Sequence, residues 1–211
     1  MNDAPRDLIG QVADYYKGKL AQHGETARGV DWNGEESQVL RFEQISRVID
    51  TGEVFTVNDL GCGWGAYFAF LAAHHRDFSY AGIDVAEAMV QAARKRFAGD
   101  GRARFEHGSA PAARADYTVA SGIFNVRLDH SEAHWLDYLK STLDVIDRGS
   151  RRGFAFNCLT SYADTDKLRP HLYYADPCTL FDLCKRRYSQ HVALLHDYGL
   201  YEFTILVRKP L

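Results

Sequence analysis

Three glycines at alternate positions in Asn58-Asp59-Leu60-Gly61-Cys62-Gly63-Trp64-Gly65 form the densest chemical signal in the chain. Glycines so spaced let a strand turn sharply into a helix, and they let a ligand approach the backbone where a Cβ would block it. Asp84 follows 19 residues after Gly65, at the end of a second apolar run. A carboxylate in that place can accept hydrogen bonds from both hydroxyls of a ribose. Together the two features point to a nucleoside-bearing ligand at the ends of neighbouring strands.

Spacing alone leaves that ligand open. Gly61, Gly63 and Ala66 also satisfy the G-x-G-x-x-A variant of the dinucleotide fingerprint, which keeps an NAD(P)- or flavin-dependent oxidoreductase in view. Against it stand Asp59, whose charge just before the first glycine does not favour a pyrophosphate, and Gly65, where a helix former is expected. Tyr15 and Lys19 have Y-x-x-x-K spacing but lie upstream of the glycine loop, whereas short-chain dehydrogenases carry that pair well downstream.

These groups need strands and helices to place them. Apolar runs predict strands at 53–60, 78–84, 102–108, 116–121 and 153–159, and helical patterns predict helices at 66–75 and 86–97. Ser131 can cap a helix whose Trp135, Leu139, Leu143 and Ile146 form one stripe. The β-α alternation implies parallel strands with helices on both faces. After a helix at 177–187, runs at 191–196 and 200–207 are separated only by Asp197-Tyr198-Gly199. So short a link permits only an antiparallel pair, which a standard dinucleotide dehydrogenase does not carry. The first fifty residues read as helices at 7–20 and 36–49 joined by a Gly-rich, polar link, a cover for the ligand edge of the core at 51–211.

Composition narrows the function. In 211 residues, 46% are apolar and 25% charged, which suits one folded domain and argues against long disorder. A formal net charge of -3 with interspersed signs gives no field to gather nucleic acid or an anionic membrane. No apolar run reaches membrane-spanning length and no basic-then-apolar leader opens the chain, so a cytoplasmic location is expected. Cys62, Cys158, Cys178 and Cys184 form no C-x-x-C pair, and the adjacent His74 and His75 would point apart on a helix; neither disulfides nor a metal site are expected.

Asp59 to Gly65, with Asp84 after Gly82-Ile83, resembles the first two motifs of class I S-adenosylmethionine-dependent methyltransferases. The resemblance implies an α/β fold with a Rossmann-like seven-stranded, mostly parallel sheet and a C-terminal antiparallel hairpin, and S-adenosylmethionine as cofactor with S-adenosylhomocysteine as product. It places Asp59 and Gly61 to Gly65 behind the methionine part, with Cys62 offering its backbone, and Asp84 on the ribose. Val85 and Met89 fall against the adenine ring, and Gly108, Ser109 and Ala110 at its edge, although an Asp common in that turn is absent. Ser121-Gly122-Ile123-Phe124-Asn125 corresponds to the loop with cofactor and acceptor contacts. It departs from the N-P-P-Y type of many amino-methylating enzymes of DNA and protein.

Arg41 breaks an apolar turn, and its guanidinium fork could bind the cofactor's carboxylate. Tyr15, Tyr16, Trp32, Phe124, Asn125, Asn157 and Tyr162 are candidates for the acceptor pocket, and Tyr173 to Pro177 could line it too. His23 and His130 could take a proton near neutral pH, and the ring of Tyr16 could face a sulfonium. The expected reaction is methyl transfer to oxygen or nitrogen of a small polar metabolite. Methylation of protein or peptide, an NAD(P)-dependent oxidoreductase and a non-catalytic S-adenosylmethionine-binding protein stay open beside it.

Overall fold

The strands sit in a twisted sheet whose order reverses in the middle, and that reversal places the site. The computed structural model describes residues 5–30, 32 and 34–210. The chain start at 1–4, and Asp31 and Asn33 in the polar link, lie outside the described residues. In chain order the elements are α1 (Pro5–His23), α2 (Glu35–Ser46), β1 (Phe55–Leu60), α3 (Ala66–His74), β2 (Phe78–Asp84), α4 (Glu87–Arg96), β3 (Ala103–His107) and β4 (Ala115–Ala120). They continue with α5 (Glu132–Arg148), β5 (Ser150–Thr160), β6 (Tyr174–Ala175), α6 (Pro177–Arg187), β7 (His191–Leu195) and β8 (Glu202–Arg208).

The sheet runs β3-β2-β1-β4-β5-β8-β7, with β6 beside β5. β1 to β6 pair in parallel, whereas β8 pairs antiparallel with both β5 and β7. The expected terminal hairpin is therefore present, its link turned by Gly199 at φ 73°. The expected seven strands become eight through β6, two residues long and too short to leave a periodic signal.

Buried central strands explain the continuous apolar runs: every residue of β4 except Asp116 is buried, and five of six in β1. Phe42 and Ile45 of α2, Phe68 of α3 and Val90 of α4 cover one face. Leu139, Leu143 and Ile146 of α5 with Leu180 of α6 cover the other. Ser131 caps α5 by accepting from the His134 N–H, and Asp176 caps α6 from Thr179 with Pro177 at its start. α2 stops at Ser46 rather than Ile49, because Val48 and Ile49 are buried from a turn, not from a further helical turn.

β1 leads to β2 on one side, and its other neighbour is β4. The crevice beyond the carboxyl ends of β1 and β4 is the usual ligand position in such sheets. α1 spans it: Leu8 and Val12 pack on Trp135 of α5, and Ala13, Tyr16 and Leu20 pack with Trp64, Ala86 and Met89. An amphipathic helix that buries residues against both halves of the sheet closes the crevice from above.

Candidate cofactor and acceptor site

Beneath α1 lies a cavity of about 340 Å³, within the range of small-ligand sites. Its floor is the turn from β1 to α3. Gly61, Gly63 and Gly65 have φ of 80°, 54° and 85°, a region that side chains other than glycine enter at a cost of about 1–2 kcal/mol. A Cβ on Gly61 would also lie 2.1 Å from Ile123 Cγ2, and one on Gly122 would lie 3.1 Å from the Trp32 ring. Missing side chains thus let the loop after β1, the loop after β4 and the Trp32 segment converge.

Four N–H groups of this turn are already engaged. Gly61 and Cys62 donate to the Ile83 carbonyl at 2.7 and 3.1 Å, Gly65 to the Cys62 carbonyl at 3.0 Å, and Gly63 to Asp84 Oδ2 at 2.8 Å. A pyrophosphate site needs such N–H groups pointing at the ligand. Asp59 and Asp84 both stand in the wall, and carboxyl groups there disfavour a phosphate and favour a cation. This geometry favours a sulfonium nucleoside over a dinucleotide.

Asp84 is 8% exposed, and its Oδ1 accepts from the Ala86 N–H at 2.8 Å. Burial raises its pKa, opposed by the N–H groups of Ala86 and Gly63. Each oxygen keeps a further lone pair, so the carboxylate can still receive a diol. Asp59 is 3% exposed and accepts from the Tyr80 hydroxyl at 2.5 Å. Burial pushes its carboxyl up to about 7, against the Tyr80 hydrogen bond and with help from the Asp84 charge.

Because the raised value exceeds that of the unfolded chain, the folded state binds the extra proton. The stability this gives is complete near pH 4 and is lost as pH rises to about 7. Asp59→Asn should therefore gain stability relative to the natural chain across that window and hold the gain above it. Melting temperatures of the two proteins between pH 5 and 8 check this; a constant difference would place the titration elsewhere.

Of the expected cofactor residues, Asp59, Gly61, Cys62, Gly63 and Asp84 line the cavity, as do Val85, Met89, Gly108 and Ser109 beside them and Ser121 and Gly122 after β4. Tyr16 and Trp32 line it from the covering segment. The Cys62 N–H donates to the Ile83 carbonyl and its own carbonyl accepts from Gly65, keeping one lone pair for a ligand, while burial pushes its thiol well up, so it is no nucleophile.

The structure places other candidates elsewhere. Arg41 does not reach the cavity; its Nε and Nη2 donate to Glu202 at 2.7 and 2.5 Å, its Nη1 donates to the Ser37 carbonyl, and it stacks on Trp32. Ala110 is exposed beyond Ser109 and outside the lining. Phe124 is a core residue at 0% exposure. Asn125 accepts from the Leu159 N–H, and Asn157 bridges the Gly122 N–H and the Ser121 hydroxyl; Asn157 positions the loop from behind. Tyr15 packs edge-on against Tyr16 and lies outside the lining. Tyr162 is exposed beside His196.

His23 ends α1 and His130 packs on His134, neither lining the cavity. Within Tyr173 to Pro177, Tyr174 and Ala175 form β6, and none of the five residues lines the cavity.

Some wall residues had no sequence signal. Tyr138, Ser141, Thr142, Val145 and Arg148 form a second stripe of α5 that lines the cavity, because no helix intervenes between β3 and β4 to cover it. Polar residues opposite an apolar stripe read as a solvated face. Gln38 and Tyr67 also line it.

Known proteins agree with this geometry. A family model described as a methyltransferase domain matches residues 57–149. A protein of Mycobacterium tuberculosis strain H37Rv named as a methyltransferase is 57% identical over 163 residues, 77% of this chain and 98% of its own length. Among solved structures, magnesium protoporphyrin IX methyltransferase from Synechocystis PCC 6803 with bound S-adenosylmethionine has a TM-score of 0.69 at 14% identity, covering 100% of both chains. Human N-acetylserotonin methyltransferase, also in complex with that molecule, has a TM-score of 0.59 at 16% identity over 97% of this chain and 67% of its own. With a sheet order, a glycine turn and a carboxylate at the end of β2 that all fit, the chain belongs to the class I S-adenosylmethionine-dependent methyltransferases.

Proposed function

We propose that this enzyme methylates an oxygen or nitrogen of a small polar metabolite, with the cavity beneath α1 holding both the cofactor and the reacting end of the acceptor. The cover that α1 lays over that cavity carries the reading. α1 and the Trp32 segment roof it, leaving room for small groups rather than for a folded macromolecule's surface. When bound, the cofactor supplies a methyl already activated on a sulfonium. The chain then has to orient and exclude water, and alignment of this kind accounts for about 7–11 kcal/mol in favourable cases.

Asp84 would hold the ribose, Val85 and Met89 the adenine, and Gly61 to Gly65 would back the methionine part. Asn157 fixes Ser121 and Gly122 at the place where an acceptor would approach. His23 and His130 stand outside the lining, so no histidine base is assigned. Tyr16 and Trp32, which line the cavity, are the expected aromatic candidates that stand where they can face developing charge.

The test is transfer of label from methyl-labelled S-adenosylmethionine into a fractionated cell extract. Label is expected in the acid-soluble, low-mass fraction. Label in precipitated protein or nucleic acid would overturn the acceptor class, and retention of cofactor without any transfer would overturn the catalytic reading.

A further inference from the structure

Gln38 stands in the first turn of α2, is 7% exposed and lines the cavity, yet its side-chain amide has no hydrogen-bond partner among the described residues. Its polar atoms are not sealed in the interior as Trp64 Nε1 and Thr118 Oγ1 are, and the residue stands in the cavity wall. Buried amides are nearly always paired in folded proteins, so an unpaired one on a ligand cavity points to a partner carried by the ligand.

Its surroundings say which part. Phe42, one helical turn later on the same face, packs at 5.1 Å on Tyr67, in the turn of α3 that follows the glycine loop. Gln38 therefore overlooks the end of the cavity where that loop would back the methionine part. Arg41, the nearby cation, is closed on Glu202. A primary amide carries donors and an acceptor side by side, which complements an ammonium next to a carboxylate. Asp59 lines the same cavity, and an ammonium beside it would favour its ionised form.

We infer that Gln38 binds the zwitterionic amino-acid end of the cofactor, its N–H donating to the carboxylate and its carbonyl oxygen accepting from the ammonium, with Asp59 as the ammonium's counter-charge. The inference rests on the reading of the cavity as the cofactor site. A neutral amide thus does here what a guanidinium could have done.

Binding of S-adenosylhomocysteine and of 5′-methylthioadenosine, which lacks the amino-acid end, tests it by calorimetry. Gln38→Leu should weaken S-adenosylhomocysteine by about 10- to 100-fold, the loss expected for hydrogen bonds to charged groups, and leave 5′-methylthioadenosine unchanged. Gln38→Glu, which keeps the shape but repels a carboxylate, should show the same selectivity and serves if the leucine variant does not fold. Unchanged S-adenosylhomocysteine affinity would overturn the inference, leaving Gln38 to face the acceptor. Equal weakening of both compounds would overturn it as well, showing a deformed wall. A natural chain that binds neither compound would instead refute the cofactor site itself.

Discussion

Arg41→Ala is expected to destabilise the fold by about 3–5 kcal/mol, the usual cost of stranding one member of a buried ion pair. Glu202 is 2% exposed and receives both arms of the guanidinium. Alanine would leave its carboxylate sealed between α2 and β8 with no counter-charge, and would uncover the Trp32 ring on which Arg41 lies at 4.7 Å. Arg41→Met combined with Glu202→Leu removes both charges and keeps volume, a change that is often neutral or stabilising. Urea denaturation should therefore show a large loss in the single variant and a much smaller one in the double variant. S-adenosylhomocysteine should bind the double variant as it binds the natural chain. A double variant that folds well and fails to bind would return Arg41 to the cofactor's carboxylate.

Arg41 also marks the boundary of what the amino-acid order discloses. A single cation in an apolar turn has the same local appearance whether it meets a ligand or a carboxylate 161 positions away. Contacts of that kind are made by the folded sheet. The glycine turn and Asp84 were legible because their demands are local: φ values that only glycine meets cheaply, and a carboxylate where a strand ends. The antiparallel tail was legible from a three-residue link, since geometry permits nothing else. By contrast, the polar stripe of α5 faces a cavity only because the segment between β3 and β4 forms no helix. Asn125 lies in the right loop and Asn157 in the strand beside it, yet their amides turn toward backbone N–H groups. Loop membership fixes a neighbourhood and leaves the direction of the side chain to packing. His23 and His130 failed in the same way, being suitable chemistry placed by the fold outside the lining.

Asp84→Ala should weaken S-adenosylhomocysteine by about 2–3 kcal/mol, as loss of charge-assisted hydrogen bonds does. The carboxylate also ties the glycine loop to α4, because its two oxygens accept from Gly63 and Ala86 at 2.8 Å each. A bare loss of affinity would therefore mix the ribose contact with distortion of the loop. Asparagine does not separate them, because its amide would point a donor at one of the two N–H groups. A cycle on the ligand side does. Adenosine and its 2′,3′-dideoxy analogue, measured on the natural chain and on Asp84→Ala at a temperature where circular dichroism shows both folded, isolate the contact. If Asp84 grips the hydroxyls, the variant discriminates poorly between the two nucleosides while the natural chain prefers adenosine strongly. If both nucleosides lose affinity equally on substitution, Asp84 serves only to brace the turn, and the ribose must be held elsewhere in the cavity.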